Sequence, residues 1–169
     1  MPKAKYQLED FLATVNDTDR DFIITVHEMM LQNGYKPKIQ ITKLYGFHIS
    51  YSQPQIKTVN GIILYFMLKN EKLNIRINAF NHDKYPDVLN RLPENIINQI
   101  DKADTCKKSI DPHKCWQGCI GYDFYIKEKR YQKCICTCFL LEVDSESTPF
   151  LTELIESESK ERLLSSEII

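Results

Sequence analysis

The chain has 169 residues, enough for one domain with a core of its own. At 43% hydrophobic and 27% charged residues, with 5 Gly and 7 Pro, it is neither disordered throughout nor a low-complexity repeat. Its 22 basic residues against 23 acidic ones leave a formal net charge of −1, so a nucleic-acid partner held by a basic excess is not expected.

The N-terminal decapeptide Met1 to Asp10 has no apolar stretch of signal-peptide type, and no lipidation box is present. The longest apolar run, Ile62 to Leu68, falls far short of the ~20 residues of a membrane span. No membrane association is therefore expected, and the expected compartment is the cytoplasm, where thiols stay reduced.

Leu8, Phe11, Leu12 and Val15 recur at helical spacing and predict a short amphipathic helix. Asn16-Asp17-Thr18 then offers a cap for a second helix, with Phe22, Ile23, Val26, Met29 and Met30 as its stripe. Asn33-Gly34 ends it, because Gly accepts a left-handed backbone. After Pro37 the period changes to two. Ile39 and Ile41 form one strand and Phe47, Ile49 and Tyr51 the next, with a bend at Gly46. Ser52 to Val59 reads as a loop around Pro54, and Asn60-Gly61 as a turn. Ile62 to Leu68 is apolar on both faces and predicts a central strand. Lys69 to Lys72 turns it into a strand carrying Leu73, Ile75, Ile77 and Ala79.

Two short helices follow, Lys84 to Leu92 capped by Asp83 and Glu94 to Ala103 after Pro93. Asp104 to Ile120 has no period and reads as a loop. Tyr122, Phe124 and Ile126 begin a strand, Lys127 to Arg130 turns it, and Tyr131 to Val143 is expected to return as one strand. Ser147 or Thr148 caps a last helix, which is expected to fray over 157–169. These elements predict a single α+β domain over 1–169, with an antiparallel sheet of five or six strands packed on about five helices. The sheet combines the meander and the Cys-rich hairpin within 104–143. The expected core joins Ile62, Leu64, Phe66, Leu73, Ile75 and Ile77 to Val26, Met30, Leu151 and Leu154.

All six cysteines fall between Cys106 and Cys138, spaced C-x8-C-x3-C-x14-C-x-C-x-C. In a reducing compartment such crowding points to metal ligands before disulfides. The expected zinc ligands are drawn from Cys106, Cys115, Cys119, Cys134 and Cys138, with His113 as a further candidate. Cys115 and Cys119 flank Gly118, which would help the loop curl round an ion. Cys134, Cys136 and Cys138 would share one strand face, so no more than two of them can reach one ion. Cys138 would lie about 13 Å beyond Cys134 along an extended strand, which leaves Cys134 with Cys136 as the competing pair. The alternatives are buried thiols without a ligand, or a thiol sensor with a pKa lowered by Lys107, Lys108, Lys114 and Lys133.

Outside this cluster, no nucleophile triad, zinc-protease motif or phosphate loop can be assembled. His48 lies opposite Phe47, Ile49 and Tyr51, with Ser50 and Tyr45 near it. If its face coincides with that of Tyr65 and Arg76, the sheet presents a polar, aromatic surface that could bind a ligand. The leading expectation is a small cytoplasmic binding or regulatory protein, with an unidentified small molecule or protein as partner and a structural zinc or thiol-sensing centre. The alternative is an enzyme of unknown reaction with its pocket around His48 and Arg76.

The stretches Gly46-Phe47-His48-Ile49-Ser50-Tyr51, Gly121-Tyr122-Asp123-Phe124 and Tyr131-Gln132-Lys133-Cys134 resemble a group of small, uncharacterised bacterial proteins. Those proteins pair a helix–meander unit with a cysteine-bearing hairpin. The resemblance implies a bacterial, cytoplasmic protein and carries no reaction, substrate or cofactor.

Overall fold

A computed structural model describes residues 5–57, 59–115, 117 and 119–166. Helix α1 (Leu8–Leu12) is short, and α2 (Asp17–Gln32) starts where the Asn16 side chain accepts from Asp19 N at 2.8 Å. Gly34, at φ +79°, releases the chain from α2. Four strands follow as a meander: β1 (Lys36–Thr42), β2 (Gly46–Ser52), β3 (Ile62–Lys69) and β4 (Lys72–Ile77). The Asn70-Glu71 turn has positive φ at both central residues, the geometry that suits a two-residue hairpin.

Helices α3 (Pro86–Asn90), α4 (Glu94–Lys102) and α5 (Lys107–Ile110) lead to a hairpin of β5 (Tyr122–Ile126) and β6 (Lys129–Lys133). Strand β7 (Leu140–Glu142) then joins the main sheet, and α6 (Thr148–Ser166) closes the described chain. The main sheet is antiparallel in the order β1-β2-β3-β4-β7, so β3 is central, as its two apolar faces predict.

Directly paired residues share a face. Ile49, Phe66, Ile75 and Leu141 lie across four strands on one side, beside Tyr51, Leu64 and Ile77. All seven are fully buried, and they join Val26 and Met30 of α2 and Leu151 and Leu154 of α6 in the core. Ile62 departs from the expected core set. A register shift at Tyr51/Ser52 leaves it half-buried, and Ile63 is the fully buried neighbour.

Three further expectations are corrected. The β5–β6 hairpin forms its own two-stranded sheet and does not extend the meander. Its inward residues Tyr122, Phe124 and Tyr131 pack as rings, Phe124 stacking on Tyr131 and Phe139 at 5.5 and 5.6 Å. The chain after Tyr131 is not one strand, because residues 134–139 form a helical turn between β6 and β7. The segment expected to fray is helical through Ser166, while 167–169 lie outside the described residues. Glu158 and Ser159 are fully buried there, and Glu158 pairs with Arg162 at 2.8 Å.

No helix among the described residues is long and apolar enough to cross a membrane.

Candidate functional site

The cysteines come from two short pieces of backbone that the β5–β6 hairpin holds side by side. The first is the loop containing α5. Cys106 N donates to Gln132 O at 3.1 Å, and Cys134 N donates to Asp104 O at 2.9 Å, tying the loop to the end of β6. The second is the turn after β6. Cys138 N and Thr137 N both donate to Cys134 O, at 2.9 and 3.2 Å. A C-x-C-x-C sequence has the period of a strand, yet here its backbone closes one helical turn.

This turn replaces the expected single strand face. Cys134 is half-buried, Cys136 is exposed and Cys138 is fully buried in the hydrophobic core. The 13 Å separation expected of an extended strand does not apply, but Cys138 points inward. Burial drives its thiol far above the ordinary range, with Lys133 acting weakly in the other direction.

Four of the other five thiols fall into two neighbouring pairs, with Cys106 beside the first. Cys119 interacts with Cys115 and, through space, with Cys106, while Cys136 interacts with Cys134 and, through space, with Cys115. Desolvation raises both Cys119 and Cys136. The Gly121 N–H opposes the shift at Cys119, and the Arg76 guanidinium opposes it at Cys136. Among the described residues, no three His, Cys, Asp or Glu side chains stand together in a ready-made metal-binding arrangement. His113 is exposed, in a turn capped by Asp111, and Gly118 lies outside the described residues.

Two of the four lysines expected to lower a thiol, Lys108 and Lys133, are committed to backbone carbonyls. Lys108 Nζ donates to Cys119 O at 2.7 Å and to Gln117 O at 3.1 Å. Lys133 Nζ donates to Asp101 O and Ala103 O, both at 2.8 Å, at the C-terminal end of α4.

Cys106 is wedged against Gly121. A Cβ built on Gly121 would stand 2.5 Å from Cys106 Sγ, and Gly121 has φ +64°. Gly121→Ala should therefore destabilise the protein by about 1–3 kcal/mol in a denaturant titration. A Gly121→Ala/Cys106→Ala double variant should recover the share due to the clash. Equal loss in both would assign the whole effect to the backbone.

The polar sheet face is assembled as the alternation predicts. Ser50, Tyr65 and Arg76 are register partners across β2, β3 and β4, with His48 and Met67 as the next pair. His48 is almost fully buried. Its Nδ1 lies 3.0 Å from Gly46 O and its Nε2 3.3 Å from Gln40 Nε2. A carbonyl can only accept, so Nδ1 carries the proton and Nε2 accepts from Gln40. Both ring nitrogens are thus used to hold the β1–β2 edge.

Tyr45, in the turn between these strands, folds over the same face. Its ring centroid lies 4.9 Å from that of Tyr65 and 5.4 Å from that of His48, and its hydroxyl accepts from Arg76 Nη1. Arg76 lies 5.7 Å from the Tyr65 ring, while its Nε is buried with no hydrogen-bond partner. The groove beside these residues has a volume of about 640 Å³ and adds Lys38 and Lys57, which sequence reasoning passed over. Their signal was available only in part: Lys38 shares the face of Gln40 by alternation, but Lys57 arrives from a loop without a period.

No protein-family model, curated protein or solved structure matches the chain. The functional reading rests on the geometry above.

Proposed function

We propose that the chain is a small binding protein in which one zinc ion clamps the α5 loop to the turn after β6. Cys115, Cys119, Cys134 and Cys136 are its ligands. The observation that carries this reading is that Cys106 N to Gln132 O at 3.1 Å and Cys134 N to Asp104 O at 2.9 Å tie the α5 loop to the turn after β6, so that thiols from two backbone segments share one neighbourhood. Two ligand pairs from two loops are the usual plan of a structural zinc site, and an all-thiolate site leaves no position for substrate. Cys106 stays packed on Gly121 and Cys138 stays in the core. The upward shifts of Cys119, Cys136 and Cys138 favour this reading over a thiol sensor, which requires a lowered pKa.

Freshly purified protein should hold about one zinc per chain, and a chelator should remove it and lower the melting temperature. Cys136→Ser should lose the metal and Cys138→Ser should retain it. Protein without zinc, whose melting is unchanged by the chelator, would overturn the reading and leave the cluster as ordinary thiols.

A further inference from the structure

We propose that the groove on the polar face of the sheet binds a small molecule carrying an aromatic ring and an acidic group. The site has three parts. Tyr65 and Tyr45 form an aromatic wall, their rings tilted by 37° at 4.9 Å. Lys38 and Lys57, both exposed, stand at the rim, and no Asp or Glu lines the groove among the described residues. The third part is Arg76, which does not line the groove but acts through Tyr45. By accepting from Arg76, the Tyr45 hydroxyl keeps its own proton to donate to an acceptor.

Charge points to an anion. Arg76 makes no ion pair with a carboxylate among the described residues, and its buried Nε has no partner. Arg76 faces the Tyr45 hydroxyl and, through space, the Cys136 thiol, but no carboxylate, and an acidic group held over Tyr45 would add a negative charge beside it. Size points to a small ligand, since about 640 Å³ lies within the ordinary range for such sites. Of the buried polar groups in the wall, His48 is held by the Gln40 side chain and the Gly46 carbonyl and Ser50 by the Lys38 carbonyl, so this part of the surface is formed before a ligand arrives. No cysteine lines this groove, and a titration that reads a bound anion rather than a metal keeps failure here distinguishable from failure of the zinc reading.

The probe is 8-anilinonaphthalene-1-sulfonate, an aryl anion, titrated by fluorescence into the full chain. One saturable site is expected. Lys38→Glu/Lys57→Glu should weaken it about tenfold or more through like-charge repulsion, with an unchanged melting temperature because both lysines are exposed. Tyr45→Phe should weaken it by a smaller factor through loss of the donor. Competition by benzoate and by phenyl phosphate then distinguishes a carboxylate from a phosphate headgroup. Absence of a saturable site, or equal affinity in the double lysine variant, would overturn the proposal. So would binding of the uncharged N-phenyl-1-naphthylamine as tightly as the sulfonate.

Discussion

Glu158→Ala should cost about 3–5 kcal/mol in unfolding free energy, the range for removing one partner of a buried ion pair. Glu158 is fully buried, and its carboxylate accepts from Tyr85 Oη at 2.6 Å, Asn81 N at 3.0 Å, Asn81 Nδ2 at 3.1 Å and Arg162 Nε at 2.8 Å. Arg162 in turn donates to Asn60 O at 2.9 Å and Asn78 O at 2.7 Å, and lies 5.3 Å from the Phe80 ring. One carboxylate thus ties α6 to the chain after β4 and to the start of α3. Without it, the buried Arg162 loses the carboxylate that faces it. Far-UV circular dichroism should show partial loss of the last turns of α6. A Glu158→Leu/Arg162→Met pair should recover much of the loss, because no charge is then stranded. A cost under about 1 kcal/mol for Glu158→Ala would place this pair with exposed ion pairs.

This network explains why the end of the chain was misread. Ser157 to Arg162 reads Ser-Glu-Ser-Lys-Glu-Arg, polar on every face, with no apolar stripe to mark a buried helix and only the i,i+4 pair Glu158–Arg162 as local support. The rest of its support is tertiary, from residues 73 to 102 positions away, which a periodicity cannot reveal. The meander was legible for the opposite reason. Its signals are local: alternation in Phe47-Ile49-Tyr51, a run apolar on both faces at Ile62 to Leu68, and a polar tetrapeptide between paired strands. The coincidence of His48, Tyr65 and Arg76 on one face followed from the same alternation. At the cysteines, alternation misled. Cys134, Cys136 and Cys138 repeat every second residue, but the bond from Cys138 N to Cys134 O curls the segment, exchanging exposed Cys136 for buried Cys138 as the accessible thiol.

Phe66→Ala is expected to destabilise the protein by about 3–5 kcal/mol, through lost transfer energy and the cavity left behind. Phe66 is fully buried in the central strand, between its register partners Ile49 and Ile75. Its ring meets Phe22 of α2 edge-on at 5.7 Å and Tyr51 at 6.3 Å, so truncation also removes two aromatic contacts. Collapse around the gap is restricted because both flanking strands are paired on their other sides, β2 with β1 and β4 with β7. Phe66→Leu keeps most of the volume and should cost under about 1.5 kcal/mol. The two variants, compared by urea unfolding, separate cavity formation from loss of the ring contacts. A Phe66→Ala cost within about 0.5 kcal/mol, the range of surface substitutions, would remove Phe66 from the core and with it the packing of α2 on the sheet.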